Sequence, residues 1–348
     1  MRIPETVESG FARIASALPQ PVMRLLAGSP VEVDGQRLEA EAQFAQRLIG
    51  DEGASEELSL AERRAKLEHD ARVFSGPRVD VREVRDLEVA GAAGRLAARL
   101  YVGPDAPSPS PLLVYFHGGG WTTGSVDSHD NLCRFLARQA RIRVLSVGYR
   151  LAPESPFPAA PDDCLASYLD AHARAAELEA DPDWIAVGGD SAGDNLAAVL
   201  CQDIRERGGP APCLQLLIYP AAQIGDRTRP SYTLFAEGYV LTTADMDFYD
   251  SCYLADPSDA RDRRVSPLVA GDLTGLPPAI VVAAGFDPLR DEVLEYAERL
   301  REAGVEVELQ RVPGLPHGFA NAVAAGRASP AAMRTVAESL GRALQPAT

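Results

Sequence analysis

Val187-Gly188-Gly189-Asp190-Ser191-Ala192-Gly193 is the stretch that decides how this chain is read. The apolar run before it, Trp184-Ile185-Ala186-Val187, has the length and branching of a buried strand. After it, from Asn195 to Arg207, Leu196, Leu200 and Ile204 recur at helical spacing. Gly189-x-Ser191-x-Gly193 therefore falls on a strand-to-helix turn. A serine at such a turn must expose its hydroxyl, and the flanking glycines let two backbones pass closely. The pattern is short enough to arise by chance, so its partners have to be found elsewhere in the chain.

On both sides of this turn apolar strands alternate with helical patterns. Leu112 to Phe116, Arg143 to Val147, Leu214 to Tyr219, Ala279 to Ala283 and Val305 to Leu309 read as strands. Helical spacing links Leu132, Phe135 and Leu136, then Leu165 and Leu169, then Val293, Tyr296, Ala297 and Leu300, and a last helix starts at Ser329. Alternating runs at Val79 to Val84 and Leu96 to Val102, with Gly91 and Gly94 between them, predict antiparallel strands at the start. The proline-rich stretch from Gly103 to Pro111 reads as a stiff loop. This is the grammar of an α/β fold, a mostly parallel sheet of about eight strands with helices on both faces.

Two segments break the alternation. Residues 1–75 read as amphipathic helices without strands: Leu38, Ala42, Ala45, Leu48 and Ile49 form one stripe, and Ser59 is placed to cap a helix through Glu62, Lys66 and Asp70. Residues 223–267 carry much charge, no strand, and aromatics at Tyr232, Phe235, Tyr239, Phe248, Tyr249 and Tyr253. The two are expected to form one helical cap over the sheet's carboxyl edge, where open α/β sheets bind ligands. Residues 76–222 and 268–348 are then the two parts of the domain beneath.

Composition narrows the function. A net charge of −16 over 348 residues argues against nucleic acid or an anionic membrane as partner. No segment is long and apolar enough to span a bilayer, and Pro4, Glu5, Glu8, Pro19 and Pro21 interrupt every apolar run at the start, so no signal peptide is expected. The five cysteines, at 133, 164, 201, 213 and 252, show no C-x-x-C pair and no zinc spacing. They suit a reducing cytoplasm, with no metal and no cofactor.

A serine is a weak nucleophile without a base and an orienting acid. Of the five histidines, His69 and His172 fall on predicted helices, His129 opens one, and His117 belongs to a glycine loop. His317, in Pro313-Gly-Leu-Pro-His-Gly-Phe319, lies on a loop just past the last strand and is the candidate base. Asp287 directly follows a strand and is the candidate acid, although Asp before Pro also reads as a helix N-cap. Asp291, one turn further on, points away from the edge. His117-Gly118-Gly119-Gly120-Trp121 follows a strand as well, and its glycines let backbone N–H groups face a ligand. The expected donors to an oxyanion are Gly118 and Gly119, joined by Ala192. A phosphate cradle is the rival for that loop, but the lysine of a P-loop is missing. Gly120, Trp121 and Phe319 flank these groups and are the candidate substrate contacts.

At this point the sequence resembles a known group, the hormone-sensitive-lipase-like (bacterial family IV) carboxylesterases of the α/β-hydrolase superfamily. The likeness rests on His117-Gly-Gly-Gly120, Tyr149-Arg-Leu-Ala-Pro-Glu154, Phe157-Pro-Ala-Ala160, Gly189-Asp-Ser-Ala-Gly193, Asp287-Pro-Leu-Arg-Asp-Glu292 and His317-Gly-Phe319. It implies a triad of Ser191, Asp287 and His317, a cap, and esters as small-molecule substrates, with a homodimer left open; a pocket roofed by the two cap segments is finite, so short- to medium-chain acyl esters are expected. One residue departs from the group's pattern: Asp194 stands where glycine is common, which brings an acid close to a developing oxyanion. A ligand-binding protein with broken chemistry, an amidase or deacetylase, and a peptidase are the alternatives on the same fold. The first would lack a triad member, and none is missing.

Overall fold

The computed structural model describes residues 18–49 and 58–345. Residues 1–17, and the side chains of Leu48 and Ile49 in the predicted stripe, lie outside that description. In chain order the elements are α1 (Gln20–Ala27), β1 (Glu32–Val33), β2 (Gln36–Arg37), α2 (Ala40–Ile49), α3 (Leu60–Phe74), β3 (Glu83–Gly91), β4 (Gly94–Val102), β5 (Ser110–Phe116), α4 (Asp130–Ala140), β6 (Arg143–Val147), α5 (Ala159–Ala173), β7 (Ala180–Asp190), α6 (Ala192–Arg207), β8 (Gln215–Ile218), α7 (Pro230–Leu234), α8 (Thr243–Tyr253), β9 (Ala279–Phe286), α9 (Arg290–Glu302), β10 (Val307–Pro316) and α10 (Ala328–Ala343). Eight strands make one sheet in the order β10-β9-β8-β7-β5-β6-β4-β3. The pairs from β6 through β5, β7, β8 and β9 to β10 are parallel, while β3–β4 and β4–β6 are antiparallel.

Side-chain alternation along the central strands builds two cores. Leu112, Val114 and Phe116 of β5 join Leu165, Leu196, Leu200, Val293 and Tyr296 beneath α5, α6 and α9. Leu113 and Tyr115 face the other way, onto Leu132, Phe135, Met333 and Leu340 of α4 and α10. Strands covered on both faces cannot show a polar side, which is why they read as near-continuous apolar runs.

The structure corrects the sequence reading in two places. The first long strand is Glu83–Gly91; Val79 and Val81 pack on the core at α4, and the Val79 N–H goes to Asn131 Oδ1 at 2.8 Å. The N-terminal segment also contains strands, the hairpin β1–β2 with Glu32 opposite Arg37. Its turn is Asp34-Gly35, both with positive φ (53° and 70°), the geometry that favours this dipeptide in two-residue hairpins. The hairpin delivers Leu38 into a small core with Phe235 and Phe286, beside Ala42. Ser59 caps α3 as expected, in a reciprocal capping box with Glu62.

Candidate active site

Four parallel strands each end one residue before a group of interest: β5 before His117, β7 before Ser191, β9 before Asp287 and β10 before His317. Their register brings the ends level, with Phe116 opposite Gly189 and Phe286 opposite Pro316. Ser191 itself has φ 56° and ψ −117°, a strained conformation for a residue with a side chain. The elbow tolerates it because β7 and α6 come very close to β5. A Cβ on Gly189 or Gly193 would lie 2.2 or 1.9 Å from the Phe116 carbonyl oxygen, so only glycine fits at either.

His317 connects the other two groups. Its Nε2 is 2.9 Å from Ser191 Oγ and its Nδ1 is 2.7 Å from Asp287 Oδ2. Since the carboxylate only accepts, Nδ1 carries the hydrogen and Nε2 is left to accept from the serine hydroxyl. Asp287 is fully buried, and its other oxygen accepts from the Leu289 N–H at 2.8 Å, so it both orients the imidazole and shapes the entry to α9. Asp291 faces elsewhere: its oxygens hold the Ser231 N–H at 2.9 Å and Arg290 Nε at 2.8 Å.

The glycine loop differs from expectation at Gly118. Its N–H donates to Asp190 Oδ1 at 2.9 Å and is not available to a substrate. The Gly119, Gly120 and Ala192 amides have no such acceptor among the described residues. Gly119 and Gly120 hold φ of 118° and 58°. Two of the expected substrate contacts also change meaning. Trp121 is 3% exposed and stacks on Tyr253 with centroids 4.5 Å apart, while Phe319 packs edge-on against Tyr219 at 5.4 Å. Each ring finds an aromatic partner inside, so both brace their loops from below. Gly120 lies directly beneath the Tyr249 ring, 2.3 Å from where its own Cβ would be.

Asp194 also reads differently in three dimensions. It is fully buried in the first turn of α6, and among the described residues neither carboxyl oxygen has a hydrogen-bond partner. Burial first, and then the negative charge of Asp190, push its carboxyl well above the ordinary range. Both causes work against an added negative charge on the oxyanion side. A group with a raised folded-state pKa stabilises most fully below its unfolded value and loses that contribution as pH rises toward the folded one. Asp194→Asn should therefore gain stability over the parent above about pH 4, by up to ~1.4 kcal/mol per pH unit. Denaturant midpoints measured against pH check this; parallel curves for the two proteins would mean that Asp194 is ionised.

The segments on either side of the site are joined across it. Arg63 of α3 is buried, with Nη1 2.8 Å from Asp245 Oδ1 and its guanidinium 4.1 Å above the Phe248 ring of α8. Arg64 donates to the Thr122 carbonyl at 2.8 Å, just past the glycine loop. None of these long-range partners could be paired from sequence spacing.

A serine elbow on this sheet topology defines an α/β hydrolase. Residues 113–321 match the family model described as alpha/beta hydrolase fold. The carboxylic ester hydrolase LipN of Mycobacterium tuberculosis is 42% identical, over 97% of this chain and 92% of its own length. An ethyl acetate hydrolase of Pseudomonas putida is 37% identical, over 75% of this chain and 83% of its own. Among solved structures, the ester hydrolase EH1AB1 from the metagenome of Lake Arreo aligns with a TM-score of 0.82 and 38% identity, covering 88% of this chain and 98% of that one. The chain belongs to the α/β-hydrolase family, in its hormone-sensitive-lipase-like carboxylesterase group. No helix among the described residues is long and apolar enough to cross a membrane.

Proposed function

We propose that this carboxylic ester hydrolase works through an acyl-enzyme on Ser191. His317 Nε2 takes the hydroxyl proton as Ser191 Oγ attacks the ester carbonyl, and Asp287 stabilises the imidazolium that forms. The same proton passes to the departing alkoxide as the C–O bond breaks. Water then attacks the acyl-serine with His317 again as base, releasing the acid and restoring the hydroxyl. The observation that carries this reading is the continuous Ser191–His317–Asp287 hydrogen-bonded chain, 2.9 and 2.7 Å long in its two links. The amides of Gly119, Gly120 and Ala192 are the oxyanion donors, since Gly118 is committed to Asp190. Gly119→Ala should lower kcat by roughly 10²–10³, the usual value of one such donor. Its Cβ would press on the Thr123 carbonyl oxygen at 2.4 Å, a backbone contact with little room to yield. A change confined to KM would show that the loop only shapes the pocket.

Residues 1–75 and 223–267 form the cap in this reading, supported by the Arg63–Asp245 pair and by Tyr249 over Gly120. A roofed pocket is finite, so acyl chains of roughly two to eight carbons are the expected substrates. Hydrolysis of p-nitrophenyl esters of rising acyl length tests it: activity should peak in that range and fall steeply beyond. A profile still rising at long chains would remove the roof. The five cysteines are all free, which suits a reducing cytoplasm.

A further inference from the structure

His129, which the sequence reading passes over as the opening of a helix, lies behind the site with both ring nitrogens engaged. Its Nε2 faces the Asp190 carboxylate, 3.2 Å from Oδ1 and 3.3 Å from Oδ2. Its Nδ1 lies 2.9 Å from Ser128 Oγ, whose own hydrogen goes to the Ser125 carbonyl at 3.0 Å. In the arrangement where the Ser128 hydroxyl donates to that carbonyl, both neighbours accept, and a ring that donates from both nitrogens is an imidazolium. Asp190 in turn gathers donors from every part of the machinery. Oδ1 accepts from Tyr115 Oη at 2.6 Å and from the Gly118 N–H at 2.9 Å, and Oδ2 from Asn321 Nδ2 at 3.4 Å. This one carboxylate thus touches the residue before the oxyanion donors and a residue four past His317, and it is itself the neighbour of Ser191.

We propose that His129 is a positioning residue: as a buried imidazolium it holds the Asp190 carboxylate ionised, and Asp190 keeps the glycine loop in register with Ser191 and His317. The inference rests on the acyl-enzyme reading above. Burial opposes charge on both partners, but their mutual attraction and hydrogen bonds win, holding the Asp190 carboxyl at about 2 and raising His129 from its ordinary value. The other titratable groups facing His129 leave it as the local cation. The His117 ring, 5.5 Å away, is pushed down to about 4 by burial and by the His129 charge, and so is neutral. Tyr115 and Cys133 are pushed up by burial and stay protonated. Glu68 of α3, which accepts from Ser125 Oγ at 2.6 Å, adds negative charge that favours the cation.

The test is the pH profile of kcat for p-nitrophenyl butyrate, corrected for spontaneous hydrolysis. The parent enzyme should lose rate reversibly on the alkaline side as His129 gives up its proton. His129→Gln keeps a neutral donor near the Nε2 position; it should cost about tenfold in kcat at neutral pH with KM little changed, because a charge-assisted bond becomes an ordinary one. The alkaline limb should then disappear while the acid limb, set by the need for a neutral base, stays. A retained alkaline limb, or unchanged kcat, overturns the proposal. Loss of the acid limb in the parent would count against the Ser191–His317 reading instead. If the variant does not fold, ¹⁵N-imidazole spectra of the parent decide: a ring with two N–H protons at neutral pH, persisting when each other histidine is replaced in turn, supports the proposal. A neutral ring refutes it.

Discussion

Ser191→Ala should abolish ester hydrolysis, by a factor of roughly 10⁴–10⁶, while leaving the fold intact. The hydroxyl oxygen is the only heavy atom removed, and the strained φ of 56° at this residue is held by the close approach of β5, not by the side chain. The residual rate would be that of an oxyanion pocket acting on water without a nucleophile. A fluorophosphonate should label the parent at Ser191 alone and the variant not at all. Full turnover in the alanine protein would end the acyl-enzyme mechanism at once, and labelling elsewhere would name the true nucleophile.

The second large effect is expected at Asp287. Asp287→Asn should reduce kcat by about 10⁴, because an amide can donate to Nδ1 and leave the imidazole in the wrong tautomer to accept from serine. Asp287 is fully buried, so bulk water does not take over its role. Asp291→Asn is the control. Its oxygens serve the Ser231 N–H and Arg290, so its loss should be felt in stability more than in rate. Comparison of kcat and of thermal midpoint for the two variants separates these roles. A crippled Asp291→Asn beside an active Asp287→Asn would reverse the assignment.

Much of this site was legible in one dimension because its parts follow strands. Strand, glycine and loop signals are local, so Ser191, Asp287 and His317 could each be found at the end of an apolar run. The helices α4, α5, α6, α9 and α10 were legible for the same reason, while α7 and α8 lay in a stretch read only as a strandless insertion. What escaped depends on contacts between distant segments. Gly118 looked like an oxyanion donor until Asp190, 72 positions away, was seen to occupy its N–H. Trp121 and Phe319 looked like pocket walls, and only the Tyr253 and Tyr219 rings behind them show that they are core. The upward push on the Asp194 carboxyl was hidden as well, since its burial has no sequence signal. The hairpin β1–β2 is different: Asp34-Gly35 between valine, glutamine and leucine was a readable turn, and helical stripes on either side obscured it.

The face that α8 turns toward the glycine loop has a bearing on how such enzymes can be recombined. Tyr249 and Tyr253, one helical turn apart, rest on the consecutive residues Gly120 and Trp121, and Arg63 from the far end of the chain grips the same helix at Asp245 and Phe248. The insertion is therefore not an exchangeable part. A chimera that imports residues 223–267 from a relative inherits a helix cut for another enzyme's loop and another enzyme's arginine. Breeding new substrate ranges into this scaffold calls for moving the α3 segment, the glycine loop and the insertion as one heritable block, and libraries that vary the insertion alone will mostly sample misfitted pairs.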